Sequence, residues 1–343
     1  ICGPSGSGKS YVLRERIRRD MEAGQRAFLI VPEQQVYFYE QELLPVLPGS
    51  AGRILKIVGF RRLAELVFRE TGGLTETDPD EGLRTLFMWQ NLRELSPLLS
   101  EYRPGDRPDQ SLTALMLSVS DEMHAGGVSP AALEGAAGKL PEDDPLRTKL
   151  MDLSLITAAY DGLVTERFGG NSADRLFRLG RVLRTCPFFR GSRVYLDSFT
   201  DFTEGEYAVL GEMLRQAEHV TVTLDCMGLS DHSPETLAVA TTAARLSALG
   251  DELAGGCETE LLKGNHRTES EELRLVGKHL FDMGLRRENL PLPAEDKRGA
   301  IELYAPAGPY AEAELAAKRI LALHEEGMHF GEIAVIVRDT EDY

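Results

Sequence analysis

The 343-residue sequence predicts an α/β fold: a parallel sheet covered by helices, interrupted by a helical insertion and followed by the start of a second α/β domain. Three observations predict it. A glycine-rich loop opens directly into a helical segment, short apolar runs recur with helix-period stretches between them, and a long central stretch has almost no strand character. Strand alternating with helix is what a sheet needs if helices are to cover it.

The loop reads Gly3-Pro4-Ser5-Gly6-Ser7-Gly8-Lys9-Ser10 and meets the Walker A pattern at every fixed position. Gly3, Gly6 and Gly8 let the backbone bend, so that successive N–H groups, those of Ser5 and Ser7 among them, converge on phosphate oxygens. Lys9 then reaches the β- and γ-phosphates, Ser10 offers a hydroxyl to magnesium, and the helical segment from Ser10 to Glu22 turns its positive end toward the anion. A flexible Gly/Ser loop is the bland alternative.

Ala27 to Val31, bounded by Pro32, is a continuous apolar run suited to a buried parallel strand. The runs Ile54 to Val58, Val194 to Leu196, Val220 to Leu224, Ile301 to Tyr304 and Ile333 to Val337 share its character. Ile1 and Cys2 read as the last residues of a strand that begins outside the sequence. Residues 1–80 and 186–265 are therefore expected to form one nucleotide-binding domain.

Between them, Glu81 to Leu99, Ser111 to His124 and Leu146 to Phe168 read as helices, broken by Pro104, Gly105, Pro108 and Gly126-Gly127. The insertion is placed at 81–185, with Phe87, Trp89 and Leu92 as its core rather than a base-stacking platform. A partial second domain is placed at 266–343. There Thr268 and Glu271 are expected to form a capping box ahead of Leu273, Val276, Leu280 and Phe281 on one helical face.

Asp197 ends the run at Val194 to Leu196, the placement of a Walker B aspartate that holds magnesium through water; a plain strand-ending turn residue is the alternative. Thr203 and Glu206 then cap a helix with Tyr207, Leu210 and Leu214 inside. Hydrolysis also needs a carboxylate to orient or deprotonate water, which superfamily 1 motors place directly after this aspartate. Here that position is Ser198, whose hydroxyl cannot act as a general base.

Composition narrows the classes. With 42% hydrophobic residues the chain buries a large core, and no apolar run is long enough to span a bilayer, so a soluble chain is expected. Cys2, Cys186, Cys226 and Cys257 form no Cys-x-x-Cys pair, which argues against a zinc or complete iron–sulfur site and fits a reducing compartment. The seven histidines show no ligand spacing, and His324 and His329 are placed on the surface at a helix end. The net charge of −17 is an average, whereas nucleic acid needs only a local basic track. Arg14, Arg16, Arg18 and Arg19, or Arg61 and Arg62, supply either such a track or a solvated face.

Five blocks in this order, "GPSGSGKS", "FLIVPEQQ" (28–35), "IVGFRRLAELV" (57–67), "VYLDSFTDFTEGE" (194–206) and "EIAVIVRDTEDY" (332–343), resemble the AddB proteins of AddAB helicase–nucleases, relatives of UvrD-type superfamily 1 helicases. The resemblance implies a P-loop NTPase, helicase-like fold, with Lys9 and Ser10 as phosphate and magnesium ligands and Asp197 on the magnesium side. Arg338 would reach the γ-phosphate from the second motor domain. Pro32, Glu33, Gln34, Phe60 and Arg61 fall where related helicases touch single-stranded DNA. Asn265-His266-Arg267 is similar to a further helicase motif, though a loop is the plainer expectation. Ser198, Val337 in place of an adenine-stacking tyrosine, and a missing Gly-Asp-x-x-Gln sensor in "VTVTLDCMG" imply a site that binds ATP and Mg²⁺ but drives poorly.

The resemblance further implies a bacterial cytoplasmic heterodimer with an AddA-type helicase–nuclease. It would process double-strand DNA ends for recombinational repair and read a Chi-type signal in single-stranded DNA. Its nuclease domain and iron–sulfur cluster would lie beyond this sequence. A working ATP-driven helicase and a P-loop small-molecule enzyme stay open as alternatives. Turnover stimulated by single-stranded DNA marks the former, and failure to bind single-stranded DNA the latter.

Overall fold

The structure is a computed structural model and describes residues 1–49, 51–72, 79–105, 109–168, 175–231, 233–280 and 299–339. Two compact units are present, Ile1–Arg267 and Thr268–Tyr343. In the first, β1 (Arg26–Ile30), β2 (Leu55–Val58), β3 (Ser192–Leu196) and β4 (His219–Val222) form one sheet in the order β2-β1-β3-β4. All three pairings are parallel, with Leu29 opposite Ile57 on one side and Tyr195 on the other. Cys2 adds parallel bridges to Leu224 and Leu261, which brings the start of the glycine-rich loop alongside the sheet.

Helices alternate with these strands. They are α1 (Lys9–Glu22), α2 (Val36–Leu43), α3 (Ala51–Ile54), α4 (Phe60–Thr71), α5 (Glu81–Leu95), α6 (Gln110–Ala125), α7 (Pro130–Ala137), α8 (Pro145–Phe168), α9 (Arg175–Leu183), α10 (Glu204–Gln216) and α11 (Leu237–Leu253). Because side chains alternate along a strand, β1 feeds two cores at once. Ala27, Leu29 and Val31 pack with Leu13, Ile17 and Met21 of α1, whereas Phe28 and Ile30 pack with Leu63 and Val67 of α4 and Leu210 of α10. Both faces of the central strands are thus covered, which explains why their sequences are continuously apolar.

The insertion has a separate core of Phe87, Met88 and Leu92 from α5, Met116 from α6 and Ile156, Tyr160 and Val164 from α8. Phe87 and Leu92 are core, as expected, while Trp89 is only half-buried with the Arg93 guanidinium 5.0 Å from its ring centroid. The last helix inside the expected insertion (81–185), α9, packs elsewhere. Leu179 and Leu183 of α9 join the sheet core, because that helix packs against α10 and α4 instead of the insertion.

One buried carboxylate organises the insertion. Asp152 of α8 accepts the backbone N–H groups of Ser100 (3.0 Å), Glu101 (2.7 Å) and Tyr102 (3.0 Å), fastening the chain that follows α5. Asp152→Asn halves the acceptor capacity and removes the charge; urea unfolding should show a loss of about 1–2 kcal/mol.

The second unit contains α12 (Glu271–His279) and α13 (Pro309–Glu325). Its expected strands are corrected by the structure: Ile301 to Tyr304 and Ile333 to Val337 belong to no regular element and pair with no strand among the described residues. Leu303 is 96% exposed, and an apolar run without a ladder partner is not a strand. The cap of α12 is Ser270, whose hydroxyl accepts the Leu273 N–H at 3.3 Å, not Thr268. Phe281, expected on that helix, and Pro108 lie outside the described residues. His324 is exposed and stacks on Phe330 with 4.1 Å between ring centroids.

Candidate nucleotide-binding site

The loop's curvature follows from its glycines. Gly6 and Gly8 have φ of 83° and 92°, the left-handed region that residues with a Cβ seldom enter. A Cβ on Gly6 would also stand 2.7 Å from Asn265 Oδ1. The Ser7 N–H donates to Pro4 O at 3.1 Å, closing the turn. Gly8 caps α1 without any side-chain bond, so the first N–H groups of that helix are left for an anion.

Lys9 is buried, and its ammonium donates to Gly3 O at 2.8 Å and Pro4 O at 2.9 Å. It is also ion-paired with Asp225, which lies just past β4 and is 58% exposed. Oxygens of Gly3, Pro4 and Asp225 thus surround the Lys9 ammonium.

Asp197 follows β3 and faces the same 540 Å³ cavity as Ser5, Gly6, Lys9 and Ser10. It is buried and accepts three hydrogen bonds: Tyr39 Oη donates to its Oδ2 at 2.7 Å, and the Thr223 hydroxyl and the Ser198 N–H (3.0 Å) donate to Oδ1. Ser198 itself is exposed, at φ 67°, a strained backbone for a residue with a Cβ and one that recurs at functional turns. The cavity contains one other carboxylate among the described residues, the Asp225 already paired with Lys9. A larger cavity of 810 Å³, between β4 and α11, carries none of the phosphate-loop residues Ser5 to Ser10.

Asn265-His266-Arg267 is a loop, and local pattern gives no sign of where it lies. The His266 N–H donates to Gly6 O at 2.7 Å, the Arg267 N–H donates to Asn265 Oδ1 at 2.9 Å, and both His266 and Arg267 line the cavity. Tyr11 and Gln35 line it as well, Tyr11 with most of its ring exposed. Arg338 belongs to the second unit and is exposed at a bend in the chain.

The residues expected to meet DNA come together at one place. Glu33 and Gln34 lie exposed in a 3₁₀ turn (Glu33–Gln35) beside half-buried Pro32, and Glu33 Oε1 accepts the Arg61 N–H at 2.8 Å at the start of α4. Phe60 is 6% exposed and packs edge-on to Phe199 with 5.7 Å between centroids. It supports that surface from beneath and offers no ring face outward. The basic cluster of α1 is largely neutralised: Arg14 pairs with Glu42, Arg16 with Glu260, and Arg18 with Glu15 and Glu22. Arg61 and Arg62 remain exposed.

Cys2 and Cys226 are free thiols buried in one cluster with Leu224 and Val239. Burial, reinforced by Cys226, pushes the Cys2 thiol up to about 11 and keeps it inert. Among the described residues no group of three or more His, Cys, Asp or Glu is placed to hold a metal, and no helix is long and apolar enough to cross a membrane.

Comparison with known proteins adds to this geometry. A family model described as "ADDB, N-terminal" matches residues 1–276. The chain is 26% identical over its whole length to the B-type subunit of the ATP-dependent helicase/deoxyribonuclease of Acetivibrio thermocellus. The equivalent proteins of Thermoanaerobacter sp. and Desulforamulus reducens, which carry the same name, are 27% and 28% identical, again over the whole chain. The chain spans 30% of the length of each of these relatives.

Proposed function

The chain belongs to the AddB N-terminal family, and from that premise we propose that it is the ATP- and DNA-binding portion of an AddB-type helicase–nuclease subunit whose hydrolytic site is degenerate. In this role it pairs with an AddA-type helicase–nuclease, engages single-stranded DNA and double-strand ends during recombinational repair, and takes part in reading a Chi-type signal. The names of the relatives support the complex and its DNA substrate.

The observation that carries the degenerate-site reading is Ser198 beside an intact phosphate loop. The loop N–H groups and Lys9 would grip phosphates, Ser10 and Asp197 are the side chains on the metal side, and His266 and Arg267, packed beside Gly6, line the same cavity. Tyr11 offers a ring face at the mouth. A serine next to Asp197 cannot draw a proton from water, and losing a positioned base costs about two to four orders of magnitude in rate. The surface made by Pro32, Glu33, Gln34 and Arg61 is the candidate contact for single-stranded DNA, with Phe60 as its support.

A working ATP-driven motor is the second reading, and Asp225 is the observation in its favour: once a phosphate displaces it from Lys9, it is a second acid in the cavity. ATP binding and ATP turnover, measured separately on the full-length chain without its partner, decide between the two. Tight binding with negligible turnover, unchanged by single-stranded DNA, is the expected result. Brisk DNA-stimulated turnover would establish the motor.

A further inference from the structure

We propose that the outer face of α4 and α9 is a track for the phosphate backbone of double-stranded DNA, running on from the surface at Glu33 and Arg61. The inference rests on the DNA-binding reading above and goes past it to a second contact and to the form of DNA that contact takes.

Charge is spread unevenly along the chain. Residues 53–71, which include β2 and α4, carry five Lys or Arg and two Glu, and residues 175–193, which include α9 and the turn into β3, carry six Arg and no Asp or Glu. Eleven of the chain's 38 basic residues thus stand with two of its 55 acidic ones.

The fold brings the two segments together. α4 leaves the C-terminal end of β2, and α9 leads to the N-terminal end of β3, so the two helices descend one face of the parallel sheet side by side. Leu63 and Val67 of α4 join Leu179 and Leu183 of α9 in one core, and the Arg178 guanidinium crosses the seam, 5.7 Å from the centroid of the Phe68 ring. On the outside Arg61, Arg62, Arg69, Arg181, Arg184 and Arg190 are exposed. Among the described residues an ion pair reaches Arg184, from Glu212 at 3.5 Å, and none reaches the other five. The arginines of α1 differ, since Arg14, Arg16 and Arg18 all have glutamate partners. Burial lowers the Arg178 guanidinium from its ordinary value and Arg181 lowers it further, so like charges crowd this face.

The chemistry of the face selects its partner. Single strands are held on aromatic platforms where bases stack, and here Phe60, Phe68 and Phe188 are buried beneath the arginines. Among the described residues of 53–71 and 175–193 no large apolar side chain is exposed, whereas the core of a protein interface is apolar and poor in charge. Cations without ring faces or apolar anchors suit the outside of a duplex, where contacts are to phosphate and carry no sequence. α4 alone is about 18 Å long, the rise of about five base pairs and about ten phosphates.

Binding of the full-length chain, without its partner and without divalent metal, is measured by fluorescence anisotropy over a series of salt concentrations. The probes are a duplex closed by a hairpin loop at each end, so that no DNA end is offered, and a single strand of equal length. Arg69→Ala, Arg181→Ala and Arg190→Ala together should weaken duplex binding about tenfold or more and reduce the slope of log affinity against log salt by about two to three. Single-strand affinity should stay within about threefold of the unmodified chain. Arg69→Lys, Arg181→Lys and Arg190→Lys together should keep duplex binding within about threefold, because a backbone phosphate accepts a point charge. Unchanged duplex affinity and slope in the alanine variant overturn the inference. So does an equal loss on the single strand, which gives the face to single-stranded DNA, and so does intact duplex binding with lost pairing to an AddA-type subunit, which gives it to the partner. If the alanine variant fails to fold in a thermal melt, Arg181→Glu alone decides, with duplex binding expected to weaken about threefold or more. An unmodified chain that binds single strands and not the closed duplex overturns this inference alone, and one that binds neither overturns the DNA-binding reading itself.

Discussion

Lys9→Ala lowers ATP affinity of the full-length chain by roughly 10- to 150-fold, the range of a charge-assisted bond worth about 1.5–3 kcal/mol. Lys9 is the buried cation of the cavity, and its partners are two backbone carbonyls and an exposed carboxylate. Phosphate oxygens replace those partners on binding. Asp225 is more than half exposed, so breaking its pair with Lys9 costs at most about 1 kcal/mol and does not cancel the gain. The loop should survive the substitution, because its curvature comes from Gly6 and Gly8 and from the Ser7 to Pro4 bond. Equilibrium binding of ATP, with a thermal melt to confirm folding, checks the effect. Unchanged affinity would mean that phosphates do not sit on this loop.

Ser198→Glu raises ATP turnover by about 10- to 100-fold, short of the two to four orders that a well-placed base supplies. The substitution puts a carboxylate directly after Asp197, on an exposed residue at the rim of the cavity. Full recovery is not expected for two reasons. A glutamate forced to the backbone of Ser198, at φ 67°, carries about 1 kcal/mol of strain. The hydroxyl of Tyr39, 3.1 Å from Ser198 Oγ, also stands where the longer side chain must pass. Steady-state phosphate release from the purified variant, beside the unmodified chain, is the measurement. No increase at all would show that the missing base is not what limits turnover.

The elements that local pattern predicts correctly are those with a local cause. The central strands β1 and β3 are the most continuously apolar because helices cover both faces of the sheet there, while the edge strands β2 and β4 admit Lys56, His219 and Thr221, and the capping box of Thr203 and Glu206 forms as its spacing requires. Helices α2, α3, α4, α7, α9 and α11 are not named in the sequence-based expectation: α2, α3, α7 and α9 are at most 9 residues long, and for α11, "LAVATTAARLSALGDEL", the helix-forming composition is the signal that could have found it. Ile301 to Tyr304 and Ile333 to Val337 have the strand composition without a ladder partner among the described residues, so composition overstates them.

In the site, the spacing of residues 3 to 10 announces the phosphate loop. Nothing near Tyr39 announces that its hydroxyl will meet Asp197, 158 residues further on. The same holds for Gly6 and His266 and for Lys9 and Asp225, whose contacts exist only after the sheet has brought distant strand ends together.

The core of Phe87, Met88, Leu92, Met116, Ile156, Tyr160 and Val164 shares no buried residue with either face of the sheet. Lineages can therefore rewrite that bundle, lengthening a helix or exchanging its packing partners, while the phosphate loop and Asp197 keep their places. A substitution inside it should change the stability of the bundle and leave the phosphate loop's geometry as it is.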